Sequence, residues 1–172
     1  MMRALFASLA VALCLGCTAC GEGSAGAGSA PRGHDDSDDS EILHYGHAAS
    51  PTDAGRIVAL VKRYYAAAAA ENGAGACALT YFILLETLPE DYGGPPGPLY
   101  LRGARTCQAV LSRVFAHFHA RLSRPMAVTG VRVNGDLAYA LLGSTTTAVG
   151  YMAVRREHGV WKIDRALAAP LP

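Results

Sequence analysis

At Arg124-Pro125 the chain changes its hydrophobic period, and this switch constrains the fold more than any other feature of the sequence. Upstream, apolar residues recur at helical spacing; downstream, they fall in short runs between turn residues. The downstream runs are Met126 to Val133, Leu137 to Ser144, Thr147 to Arg156 and Val160 to Leu167, rich in Val, Leu, Tyr, Thr and Ala. Asn134-Gly135-Asp136 separates the first two and Glu157-His158-Gly159 the last two, as hairpin turns do. A four-stranded antiparallel meander is expected. In its last strand Trp161, Ile163 and Leu167 share one parity, and Lys162 and Asp164 take the other. One sheet face is therefore apolar and has to be covered by the upstream helices.

Those helices have readable starts and stops. Ser50 can cap a helix, Pro51 suits its first position, and Asp53 stands three residues after the cap. Ile57, Leu60, Val61, Tyr64 and Ala68 then make one stripe, ending at Asn72-Gly73. Ala74 to about Leu85 is almost wholly apolar, and a short helix is preferred there over a strand. Pro89 to Pro98 reads as a loop. Ala104 to Leu122 is the third helix, with Cys107, Val110, Leu111, Val114, Phe118 and Leu122 on its buried stripe. The fold class is thus α+β, with three helices on one face of a curved four-stranded antiparallel sheet.

The first 50 residues belong to something else. Met1-Met2-Arg3 precedes the apolar run Ala4 to Leu15, Cys14, Cys17 and Cys20 crowd its end, and a Gly/Ser/Ala stretch follows. The apolar run is shorter than the roughly 20 residues a membrane span needs. The order is that of an export signal, and it resembles a bacterial lipoprotein signal peptide, in which a cysteine becomes the lipid-bearing first residue. Residues 1–20 are assigned to that signal, 21–50 to a disordered tether and 51–172 to the folded domain. Cys20 is the preferred lipidation site, because Gly21-Glu22-Gly23-Ser24 then begins the tether, and Cys17 is the alternative. The rival reading is an ordinary secretory signal with a soluble product. Either way the chain is exported, and the lipidated form would be anchored on the extracytoplasmic face of the cell membrane.

Charge separates the same two parts. The tether carries Glu22, Asp35, Asp36, Asp38, Asp39 and Glu41 against Arg32, as a self-repelling spacer does. From Ser50 onward thirteen Lys/Arg face eight Asp/Glu, a net charge of +5. Those arginines are scattered and no nucleic-acid motif accompanies them, so nucleic acid is not an expected partner. Two cysteines remain beyond the signal. Outside the cytoplasm Cys77 and Cys107 are expected to pair, the alternative being two separate buried thiols.

Helices followed by a curved sheet resemble the nuclear-transport-factor-2-like, or cone-shaped α+β, fold, and the motif order is similar to small actinobacterial lipoproteins of that superfamily. The residues that carry the resemblance are Val61-Lys62-Arg63-Tyr64-Tyr65, Gly75-Ala76-Cys77-Ala78-Leu79, Thr106-Cys107-Gln108-Ala109-Val110, Val131 to Ala138, and the closing Gly159-Val160-Trp161-Lys162-Ile163-Asp164. The resemblance spans residues 52–168 and implies a cone with an open mouth. It says little about activity, because this fold hosts enzymes and binding modules alike. Ketosteroid-isomerase-like and polyketide-cyclase-like members place an acid or histidine base inside the cone. Here Asp136 falls in a turn, and Asp164 has the parity that faces away from the helices. A non-enzymatic domain that binds a small apolar ligand or an envelope partner is therefore the leading reading. An enzyme acting on a small lipophilic substrate, or a homodimeric scaffold, are its rivals.

Tyrosines suit a ligand site because an apolar ring carries a polar tip. Tyr64 and Tyr139 are the first choices for the cone mouth, with Tyr151 and His117 beside them. His117 and His119 are two apart on a helix and point in different directions. His44 and His47 lie in the acidic tether without fixed geometry. No metal or cofactor is expected.

Overall fold

The structure is a computed structural model that describes residues 41–95, 97–124, 126–144 and 147–165. The residues 1–40 and 166–172 are outside that description. The expectations placed there, Cys17 and Cys20 included, are not addressed by it.

Helices cover one face of an open, five-stranded antiparallel sheet of order β1-β2-β3-β4-β5. The strands are β1 (His47–Ala48), β2 (Ala127–Asn134), β3 (Leu137–Ser144), β4 (Thr147–Glu157) and β5 (Val160–Ile163). Four of them are the expected meander. Asn134 pairs with Leu137 and Glu157 with Val160, so both hairpins close with two-residue loops. His158 and Gly159 both have positive φ, at 48° and 81°, which is the backbone that a tight hairpin of right-handed strands requires.

The fifth strand corrects the expected count of four and the assignment of residues up to 50 to a disordered tether. His47 pairs with Val133 and Ala48 with Arg132. Two features hold so short a strand. The Arg132 guanidinium donates to the carbonyls of Tyr45 and Gly46, at 2.9 and 3.0 Å. Gly46 has φ of +47°, and a Cβ there would fall on the Val133 carbonyl.

The helices are α1 (Pro51–Ala69), α2 (Gly73–Cys77), α3 (Phe82–Gly93), α4 (Cys107–His117) and α5 (His119–Leu122), with a 3-10 turn at Leu99–Leu101. The α1 start is as read: Ser50 Oγ accepts the Asp53 N–H at 3.1 Å. The apolar stretch after Gly73 is not one helix. Chain 78–81 leaves α2 and runs parallel to β5, where the Tyr81 N–H donates to the Ile163 carbonyl and the Ile163 N–H to the Leu79 carbonyl. Tertiary pairing overrides the local helical preference there. Buried Thr80 satisfies its hydroxyl on the Ala76 carbonyl at 2.9 Å.

α3 also differs from expectation, since it continues through Pro89 to Gly93 instead of ending in a loop. Proline in a helix interior loses a bond to the preceding turn. Leu88, buried to 1% exposure, and Tyr92 pack against the core and offset that loss. The third expected helix is cut in two at Phe118 (φ −107°, ψ 20°), and it begins at Cys107, with Thr106 Oγ1 accepting the Ala109 N–H.

The core lies between helices and sheet. α1 contributes Ile57, Leu60, Val61, Tyr64 and Ala68, and α4 contributes Val110, Leu111, Val114 and Phe115. Val131, Val133, Ala138, Ala140, Leu142, Met152, Val154, Trp161 and Ile163 face them from the sheet. Cys77 and Cys107 form a disulfide that ties α2 to α4, with Cα atoms 6.1 Å apart. Beside it Gly73 lies so close to α4 that a side chain there would strike Gln108 and Ser112. The Gly73 N–H donates instead to Ser112 Oγ at 3.2 Å.

Candidate ligand site on the outer sheet face

The expected site residues do not converge on one cavity. Tyr64 is in the core at 2% exposure, edge-on to Phe115 with ring centroids 5.8 Å apart. Burial pushes its hydroxyl well above the usual tyrosine range. His117 is at the end of α4, stacked on Tyr100 with centroids 3.9 Å apart. Tyr139 and Tyr151 are on the opposite side of the sheet from the helices. The reason is parity: Ala138, Ala140 and Leu142 point into the core, so Tyr139 and Leu141 point out. The small side chains of Ala138 and Ala140 let α1 approach β3 closely.

On that outer face the two tyrosines meet a third. Tyr139 packs edge-on to Tyr151 at 5.3 Å and to Tyr45 at 4.7 Å. Tyr45 comes from the segment that composition alone assigned to the tether. Its lone aromatic ring in a polar stretch was the available signal. Burial, then the neighbouring Tyr45 and Tyr151, raises the Tyr139 hydroxyl above its ordinary value. The three rings are half-buried.

A groove of about 360 Å³ is lined by Tyr81, Ile83, Leu84 and Thr87 on one side and by Arg155 and Asp164 on the other. The pairing of 78–81 with β5 places Tyr81 there, and α3 begins directly after it. Arg155 donates to Asp164 Oδ2 at 3.2 Å, and its guanidinium lies 5.6 Å from the Tyr81 ring centre. Hydrogen bonding to Asp164 raises the Arg155 pKa further, so the cation is fixed. Sequence parity turned Asp164 away from the helices, whereas the structure sets it in a groove whose other wall is α3. Its partner and its groove depend on the 78–81 excursion, which no local pattern announces.

A second concavity, of about 690 Å³, follows α3 and is lined by Pro89, Glu90, Gly93, Gly94, Pro95 and residues 102–105. Glycine and proline backbone forms most of its wall. Neither concavity includes Tyr64, Tyr139, Tyr151 or His117.

Asp53 has a larger role than a helix start. Besides its place beside the Ser50 cap it accepts the Trp161 indole N–H at 3.0 Å and an Arg156 N–H at 3.1 Å. Arg156 in turn lies 4.4 Å from the centre of the Trp161 ring system. The Trp161 bond foremost, with Arg156 and Ser50 adding to it against desolvation, holds the Asp53 carboxyl below the usual range. The group fastens the start of α1 to the β4–β5 hairpin and is structural in character.

Among the described residues no cluster of three or more His, Cys, Asp or Glu is placed to hold a metal ion. None of their helices is long and apolar enough to cross a membrane. Comparison with known protein families, curated proteins and solved structures finds no match.

Proposed function

We propose that this chain is a lipid-anchored extracytoplasmic domain of nuclear-transport-factor-2-like type that binds a ligand or an envelope partner without catalysing a reaction. The observation that carries the binding half is the cluster of Tyr45, Tyr139 and Tyr151 on the sheet face opposite the core. Clustered aromatic rings with polar tips suit recognition of amphipathic groups. The helix–sheet interior is occupied by Tyr64, Phe115, Met152 and Trp161, which favours recognition at the surface over a ligand swallowed by a cone. Export is supported by the Cys77–Cys107 disulfide, a bond that persists in oxidising compartments. Anchoring rests on the Cys14–Cys20 region of the sequence.

Two measurements test this reading. Metabolic palmitate labelling should mark the protein, and the Cys17→Ala, Cys20→Ala double variant should lose label and membrane association together. Protein extracted from its native membrane should cross-link to a partner, or carry a ligand, through the Tyr139 and Tyr151 face. An unlabelled, soluble wild type would refute the anchor. A Tyr139→Ser, Tyr151→Ser variant that keeps every native contact would refute the binding face.

A further inference from the structure

We infer that the groove between α3 and the β4–β5 edge binds a small zwitterion with an apolar side chain, an apolar α-amino acid being the simplest example. The inference rests on reading this domain as a binding module, and it is independent of the lipid anchor.

Three features of the groove converge on that class. Its volume, about 360 Å³, is that of a site for one small ligand. Its α3 wall is apolar: Leu84 is half-buried, and Ile83, a large aliphatic residue, is 47% exposed. The opposite wall ends in one cation and one anion, Arg155 and Asp164, whose side chains keep 39% and 22% of their surface accessible.

The charge pair selects among ligands. A simple carboxylate would gain Arg155 and meet repulsion from Asp164; a simple amine would gain Asp164 and meet repulsion from Arg155. A ligand carrying both charges satisfies both walls with no net charge brought in. The donors exist for it. Arg155 spends one nitrogen on Asp164, and its other guanidinium nitrogens have no hydrogen-bond partner among the described residues. Asp164 Oδ1 is similarly unengaged among them. The Tyr81 ring beneath the guanidinium holds that fork in place and adds a flat apolar surface for the ligand's side chain.

The test is a titration of the isotope-labelled full-length protein followed by amide NMR shifts. The probes are L-phenylalanine, 3-phenylpropanoate (no amine) and phenethylamine (no carboxylate). Saturable shifts at Tyr81, Ile83, Leu84, Arg155 and Asp164 are expected with phenylalanine, with affinity at least tenfold above either analogue. Arg155→Gln should shift preference to phenethylamine and Asp164→Asn to phenylpropanoate, a reversal that misfolding cannot produce. Thr87→Trp, which fills the groove away from the ion pair, should abolish the shifts with the melting temperature retained. Equal affinity for all three probes, binding of the carboxylate alone, or no saturable shift in the groove would each overturn the inference. Retained palmitate labelling in that event would leave the anchor standing.

Discussion

Removing the Cys77–Cys107 bond should cost this domain a large part of its stability. The bond closes a loop of 30 residues between α2 and α4. In the chain-entropy treatment, such a loop restricts the unfolded chain by about 12 cal/mol/K, or about 3.6 kcal/mol at 25 °C. Unfolding entropy near the midpoint is about 2.1 cal/mol/K per residue, so a domain of about 125 residues should melt about 14 °C lower without the bond. The perturbation is Cys77→Ala, Cys107→Ala, read by far-UV circular dichroism melts with and without reductant. The wild type should fall to the variant's melting temperature when reduced, and the variant should ignore the reductant. Because the effect acts on the unfolded chain, the urea m-value should rise on reduction as that chain expands. A drop under about 3 °C, with thiol counting to prove complete reduction, would refute the argument that the staple works through loop closure.

Two further outcomes follow from the packing. Trp161→Phe keeps a ring in the core and deletes the N–H that Asp53 accepts, so it should destabilise the domain at neutral pH. Asp53 is held below the usual carboxylate range, so its contribution is complete above its unfolded value of 3.8 and is lost as pH falls through the folded value. The stability gap between wild type and variant should therefore narrow in acid; a gap that widens there would contradict the role given to Asp53. Gly46→Ala places a side chain against the Val133 carbonyl at a positive φ, so β1 should detach. Faster hydrogen exchange of the Ala49 amide, which donates to the Val131 carbonyl, would register that, while unchanged exchange would contradict it.

How much the sequence disclosed varied with how local the cause was. Ser50, Pro51 and Asp53 announced α1 because capping is decided within one turn. Gly135 and His158-Gly159 announced both hairpins because a two-residue loop needs those backbone angles. The parity of Trp161 and Ile163 also assigned them to the core. At β3 parity does not choose, because Leu137, Tyr139 and Leu141 are as apolar as Ala138, Ala140 and Leu142, and it is the second set that is buried. β1 was invisible because its strength comes from the side chain of Arg132, more than 80 residues away in sequence. The α3 path through Pro89 and the extended 78–81 segment were likewise set by distant partners. The candidate groove inherits that difficulty, because its walls were assembled by the 78–81 detour.

That detour also limits how copies of this protein can meet. An incoming strand at β5 would have to evict the Leu79 carbonyl and the Tyr81 N–H from Ile163 before it could pair there. At the other border β1 pairs with only Arg132 and Val133 of the eight residues of β2. The arrangement at the β5 border resists pairing with a strand from a second copy.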